Sequence, residues 1–336
     1  MNVLYIASLL VATFIWGYIF YKKDYHPQPT KVIAQIFGIG LFSMAPVFAY
    51  KYIYQHFLPI IAEYEIFKPL LHSSLLSGIF FFLINLILLS VLLFTFSATI
   101  SLLLTLFKHD TLANIKDAIK ECELGFVTVS ILIGFLIYFE TFIQNILNIP
   151  IINTILGTIL FLSIIEEYIK HLIVRFVDDK RLKDIDDAIT LSIMVGLAFG
   201  LMETFIYGFI NGDLSLLFFR SLLTIPVHVI ASGIFGYYYG LSHFAKPLTN
   251  ATVGEKKYRF NSKLLHTILT LKRSSIYEDE KMVQGMGLAV LFHTTCNILF
   301  ELDLAFAVVP LLAIGLLLLS YLYKDSHILY RLIHAH

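Results

Sequence analysis

Apolar residues in this chain come in long unbroken runs, not at every second position or at every third and fourth. The runs lie at approximately 3–21, 32–54, 76–107, 125–146, 151–174, 188–211, 217–243, 283–300 and 303–323. A helix rises about 1.5 Å per residue, so about 20 apolar residues cross the hydrocarbon of a bilayer, roughly 30 Å thick. The pattern therefore predicts an all-α, polytopic transmembrane helix bundle of about nine spans. Residues 69–107 carry no charge, and neither Pro nor Gly interrupts them after Gly78. The run at 76–107 reads as one long helix that continues past the bilayer, with two short helices as the alternative.

Charge gives the bundle its direction. With the N-terminus outside, the inner loops and tail take Lys22, Lys23 and Lys31, then Lys108, Lys116 and Lys120, then Arg175, Lys180, Arg181 and Lys183, then Lys246 to Lys281, and last Lys324 and Arg331. The outer side keeps only Lys51, Lys68 and Arg220. Such asymmetry is what the positive-inside rule requires, so the C-terminus is expected in the cytoplasm. The first run has no basic residue ahead of it, whereas Lys22 and Lys23 follow it. It reads as a retained helix and not as a cleaved leader.

Composition then closes off other classes. The chain has 336 residues, 58% hydrophobic and 14% charged, with a mean hydropathy of +0.81. Soluble domains carry about 25% charged residues, so a soluble globular enzyme is excluded. Lys plus Arg equals Asp plus Glu, and there is neither a Gly-rich phosphate loop nor a basic stripe. No nucleic-acid partner is expected. The lipid bilayer is the partner the sequence implies, and it leaves the oligomeric state open. Cys122 and Cys296 sit at different depths and do not form a disulfide framework.

Three regions follow. Residues 1–150 hold about four spans and no motif; 151–323 hold about five spans with a basic cytoplasmic insertion at 244–282; 324–336 form a cytoplasmic tail. The stretch 108–124 resembles a short amphipathic helix on the membrane surface.

Ionisable side chains inside a membrane are costly, about 2.5–3.5 kcal/mol on insertion scales, so each one is a candidate for function. They concentrate in the second half of the chain. In FLSIIEEYIKHLIVRF, Glu166 and Lys170 share a helix face, as do Glu167 and His171. An interfacial ion pair ending the helix is the plain alternative. Glu203 stands without a basic residue within four positions, about 22 Å from the inner end of its span. His228 follows Pro226 at a similar depth, and Ser232, Gly236 and Gly240 form a small-residue face suited to tight packing. His293 and Asn297 share a face about 16 Å deep. Glu140, beside Gln144 and Asn145, lies nearer the outer face and reads as interfacial.

Two acids, two imidazoles and an amide at matching depth can hydrolyse a peptide bond without a Ser or Cys nucleophile. A carboxylate in low dielectric can act as general base on water. Imidazole and amide N–H groups can stabilise the oxyanion. There is no H-E-x-x-H, no G-x-S-x-G and no G-x-G-D, and Cys296 reads as inert packing.

The ordered pieces Glu166-Glu167-x-x-Lys170, Phe199-x-x-x-Glu203, Pro226-x-His228 and His293-x-x-x-Asn297 resemble the PrsW family of intramembrane proteases. These are relatives of the CAAX prenyl proteases and the glutamate-type membrane proteases. The likeness covers roughly residues 160–300, and Glu203 stands where CAAX proteases usually have His, which favours the PrsW branch. It implies cleavage of membrane-anchored proteins in a prokaryotic cell membrane, a possible setting being regulatory proteolysis such as first-site cleavage of an anti-sigma factor.

The expected catalytic set is Glu166, Glu167, Glu203, His228, His293 and Asn297, with Lys170 in support. Spacing leaves open which of Glu166 and Glu167 faces the cavity. The favoured chemistry needs no cofactor: Glu166, with Glu203, activates water, because Asn is a poor zinc ligand and Lys170 repels a dication. Zinc held by His228, His293 and Glu203 is the alternative. Two rival classes remain, a transporter using the acids as a proton relay and an inactive relative that only binds membrane partners.

Overall fold

The computed structural model describes residues 3–45, 47–49, 52, 155–178, 182–211, 214–251 and 273–334. It is helical throughout these: α1 (Val3–Lys23), α2 (Thr30–Leu41), α3 (Ile155–Asp178), α4 (Ile185–Asn211), α5 (Leu214–His243), α6 (Ala245–Ala251), α7 (Arg273–Glu301) and α8 (Ala305–His334). Five of these helices contain stretches long and apolar enough to cross a membrane: Tyr5–Lys23, Ile185–Phe209, Phe218–His243, Ser274–Glu301 and Ala305–Arg331. α3 is not among the five, since Glu166, Glu167, Lys170 and His171 shorten its apolar stretch. The expected spans at 76–107 and 125–146, the surface helix at 108–124 and the interfacial Glu140 all lie outside the described residues, as does most of 32–54 beyond Leu41.

Two helices run further than the apolar pattern predicts. α7 begins at Arg273, ten residues before the apolar run expected at 283, so part of the expected loop at 244–282 is helical. The segment YEDEKMVQ is rich in helix formers, and Gln284 donates to Glu280 at 3.0 Å across one turn. α8 likewise continues through the expected tail to His334. Hydropathy finds where a helix is apolar, and these helices continue where they are polar.

The chain divides into two compact units, Met1–Phe42 with Glu166–His336, and Ser43–Ile165. In the first unit α4 is the central helix, buried from Ile185 to Leu201. It is apolar on every face, as a helix enclosed by others must be. Glycine makes the enclosure possible. A Cβ on Gly196 would stand 2.6 Å from the His228 carbonyl oxygen and would also collide with Ser232. One on Gly236 would stand 2.6 Å from the Ala188 oxygen, and one on Gly240 would meet Ile185 at 2.9 Å. The small-residue face of α5 thus lies against α4, with backbones in contact. By contrast α1 exposes Leu10, Val11, Phe14, Ile15 and Tyr18, the surface a lipid-facing helix presents.

Beyond the end of α1, buried carboxylates join three segments. Asp184 Oδ1 accepts the Asp187 amide at 2.9 Å, and Asp187 Oδ2 accepts the Lys183 amide at 2.8 Å, which caps α4. Asp186 binds α8 through Ser326 and through His327 at 2.7 Å. Asp24, just past α1, accepts the His26 amide at 3.0 Å. Burial, reinforced by the neighbouring Asp184 and Asp186, pushes the Asp24 carboxyl up to about 6.

An acid whose pKa is raised on folding binds more protons when folded, so its contribution to stability falls as pH rises between about 4 and 6. Asp24→Asn is therefore expected to raise the unfolding temperature at pH 7.5, by the equivalent of about 1–2 kcal/mol. The advantage should vanish near pH 4. Thermal unfolding of both proteins across that range checks it, and a constant difference at all pH values would refute it.

Candidate active site

The buried polar side chains of α3, α4, α5 and α7 meet inside the first unit. Glu166, Glu167 and Lys170 lie on adjacent faces of α3. Lys170 Nζ donates to Glu167 Oε1 at 2.5 Å, lies 3.0 Å from His228 Nδ1, and sits 4.7 Å above the Phe199 ring of α4. Lys170 is 2% exposed, so these contacts are what make a buried ammonium tolerable.

His228 of α5 is fully buried. Its Nε2 is 2.7 Å from Glu203 Oε2. An ammonium can only donate, so Nδ1 is the acceptor for Lys170, and Nε2 carries the proton that Glu203 accepts. His293 of α7 stands edge-on to His228, with ring centroids 4.7 Å apart. Its Nδ1 is 2.7 Å from Glu167 Oε1, and its Nε2 is 3.6 Å from Glu166 Oε2.

One imidazole therefore lies between the two consecutive glutamates. This answers the question that spacing left open: both acids reach the site, one towards each ring nitrogen. With Nδ1–H donated to Glu167, the Nε2 lone pair faces the Glu166 carboxylate. Two acceptors face each other there, an arrangement that suits a cation.

The remaining expected residues are placed differently. Glu203 is not grouped with the other possible metal ligands; it sits behind His228. Glu166 takes its place: Glu166, His228 and His293 each offer one ligand atom, all within 4.8 Å of one another. A donor set of two imidazoles and one carboxylate suits zinc. Each imidazole also has its other nitrogen on a carboxylate, Glu203 for His228 and Glu167 for His293, which is the arrangement that orients histidine ligands. Asn297 is half-buried one turn beyond His293, and among the described residues it makes no hydrogen bond to the cluster. His171 packs against Phe235 at 4.5 Å and Tyr239 at 5.3 Å, away from the acids. Cys296 is buried without joining the cluster.

One residue escaped the sequence reading. Arg220 of α5, counted there as an outer flanking charge, places Nη2 2.9 Å from Glu203 Oε1. A signal existed: Arg220 lies inside the apolar stretch LLFFRSLLTIPVH, and Glu203 has no basic neighbour within four positions on its own helix. Opposite charges on consecutive spans are natural partners. Among the described residues, Lys170 and Arg220 are thus the cations paired with Glu167 and Glu203.

The fold is that of a multi-pass helical membrane protein with a buried Glu/His cluster. The profile described as PrsW family intramembrane metalloprotease matches residues 122–323, and the chain belongs to that family. It is similar to a curated relative, Protease PrsW of Geobacillus kaustophilus (strain HTA426), at 32% identity over 136 residues. That match covers 39% of this chain and 60% of the relative's length. No solved structure matches. Every residue of the cluster falls inside the family match, and the chain is a multi-pass integral membrane protein of a prokaryotic membrane.

Proposed function

We propose that this protein is an intramembrane endopeptidase that hydrolyses peptide bonds of membrane-anchored proteins, with Glu166, His228 and His293 holding a divalent metal, most naturally zinc. The observation that carries this reading is the pair of imidazoles, each with one nitrogen on a carboxylate, Glu203 or Glu167, and both grouped with Glu166 within ligand distance. When bound, such an ion supplies Lewis-acid polarisation of the scissile carbonyl and acidification of water. The chain's own residues do the rest. Glu203 and Glu167 orient the two rings. Glu167, held through Oε1, has its other oxygen to take the proton from the attacking water and keep it until the leaving amine accepts it. Lys170 offsets the charge of Glu167, and the surrounding apolar helices exclude bulk water.

A second reading has its own support. Lys170 Nζ stands 3.0 Å from His228 Nδ1, so its ammonium can be the cation of a metal-free site in which Glu166 is the general base. The family description favours the metal.

Both readings are tested by co-expressing the protein with tagged single-span membrane proteins. A fragment is expected with wild type and not with Glu166→Gln. Identical fragment patterns from the two would refute proteolysis at this site.

A further inference from the structure

The structure assigns Arg220 a positioning role: it holds in place the Glu203 carboxylate that accepts the Nε2 proton of His228 and so orients the ring. Arg220 lies two turns before His228 on α5, about 12 Å between backbones along the axis, and the two side chains meet through Glu203. The carboxylate of Glu203 spans the gap. Oε1 faces Arg220 Nη2 at 2.9 Å and Oε2 faces His228 Nε2 at 2.7 Å. Both oxygens are engaged, so the carboxylate cannot turn without losing one partner.

The guanidinium is itself held. Its Cζ lies over the Tyr207 ring, 4.3 Å from the centroid. Tyr207 follows Glu203 by four residues, so ring and carboxylate project from one face of α4 and grip the same group. Planar stacking with a fork of donors is what Arg offers and Lys does not. With Nε2–H directed at Glu203, Nδ1 of His228 is kept as a lone pair towards Lys170. A neutral imidazole in the other tautomer would turn an N–H into the site and could not ligate through that atom.

The importance of this relay for cleavage rests on the metalloprotease reading; the tautomer does not. The test uses the full chain in detergent, with ring-15N histidine and the His228 signals identified by their loss in His228→Asn. Wild type is expected to show a protonated Nε2 and an unprotonated Nδ1. Arg220→Met frees the carboxylate to turn, and should move the His228 Nε2 resonance and lower zinc affinity about 10–100-fold, the usual effect of losing a residue that orients a ligand. Arg220→Lys should retain part of both.

Glu203→Gln removes the charge that Arg220 compensates yet keeps an oxygen for Nε2–H. The neutral double variant Glu203→Gln with Arg220→Met should therefore be no worse than Glu203→Gln alone, and it serves as the folded comparison if Arg220→Met is unstable. Two results overturn the proposal: an unchanged His228 spectrum in Arg220→Met or, failing that, in Arg220→Lys, and a double-variant loss equal to the product of the single losses. If wild type neither cleaves nor retains zinc, the metalloprotease reading falls, while the ring spectra still decide the role of Arg220.

Discussion

His293→Ala is expected to lower cleavage of a single-span substrate by about 10²–10⁴-fold and, in the same protein, to release any divalent metal that wild type retains. The ring touches both glutamates, at 2.7 Å and 3.6 Å, so its removal takes one ligand from the metal group and one hydrogen bond from Glu167. Glu167 keeps Lys170, so the variant is not left with an isolated buried charge and should still fold. Metal analysis of purified wild type and His293→Ala, alongside cleavage before and after a chelator, separates the two chemistries. Equal cleavage by wild type and variant would remove His293 from the mechanism. Cleavage by a wild type free of metal and indifferent to the chelator would sink the metal reading and leave Lys170 as the cation.

The largest loss of stability is expected from Gly196→Leu. Overpacking a well-filled core typically costs about 1–3 kcal/mol and occasionally more. Here the first added atom already meets the His228 carbonyl oxygen at 2.6 Å. Backbone cannot swing aside as a side chain can, so the helices must separate, and the expected cost is at or above about 3 kcal/mol. Gly287 provides the control, because nothing lies within 4 Å of a Cβ built there. Gly287→Ala on α7 should be neutral or gain up to about 1 kcal/mol from helix propensity. The unfolding temperatures of the two variants in detergent should move in opposite directions or differ widely. A Gly196→Leu protein as stable as wild type would contradict the close approach of α4 and α5.

Much of this architecture is legible from residue pattern alone. Apolar runs locate α1, α4, α5, α7 and α8 to within a turn at their apolar ends, and depth along the helix axes puts Glu166, Glu203, His228 and His293 at levels where the structure has them in a chain of contacts. Depth is not azimuth, however. Glu203 and Glu166 sit at comparable depths, yet one approaches the outer nitrogen of His228 and the other the inner face of the cluster, so the expected metal set exchanged one for the other. Asn297 shares a face with His293 by spacing, but lies one turn away from the acids. Two imidazoles need not share a helix to form one ligand group: α5 and α7 supply one each. Arg220 was missed because loop charge was counted for topology and not matched to the acids of neighbouring spans.

The order of the site residues along the chain has a consequence for biogenesis. His293 leaves the ribosome 65 residues after His228, an interval of about 3–13 s at ordinary rates of synthesis. Throughout it, α4 and α5, joined by a short link and fitted through their glycines, can already be packed together in the bilayer. The acids of α3 and α4 are then buried or partly buried, but Lys170 and Arg220 have been made too, and each neutralises its carboxylate without help from α7. A nascent chain thus holds a half-site in which Glu167 and Glu203 are already paired but the last imidazole is missing. On the proposed reading, membrane proteins inserting beside it at the translocon would be safe from cleavage until α7 arrives.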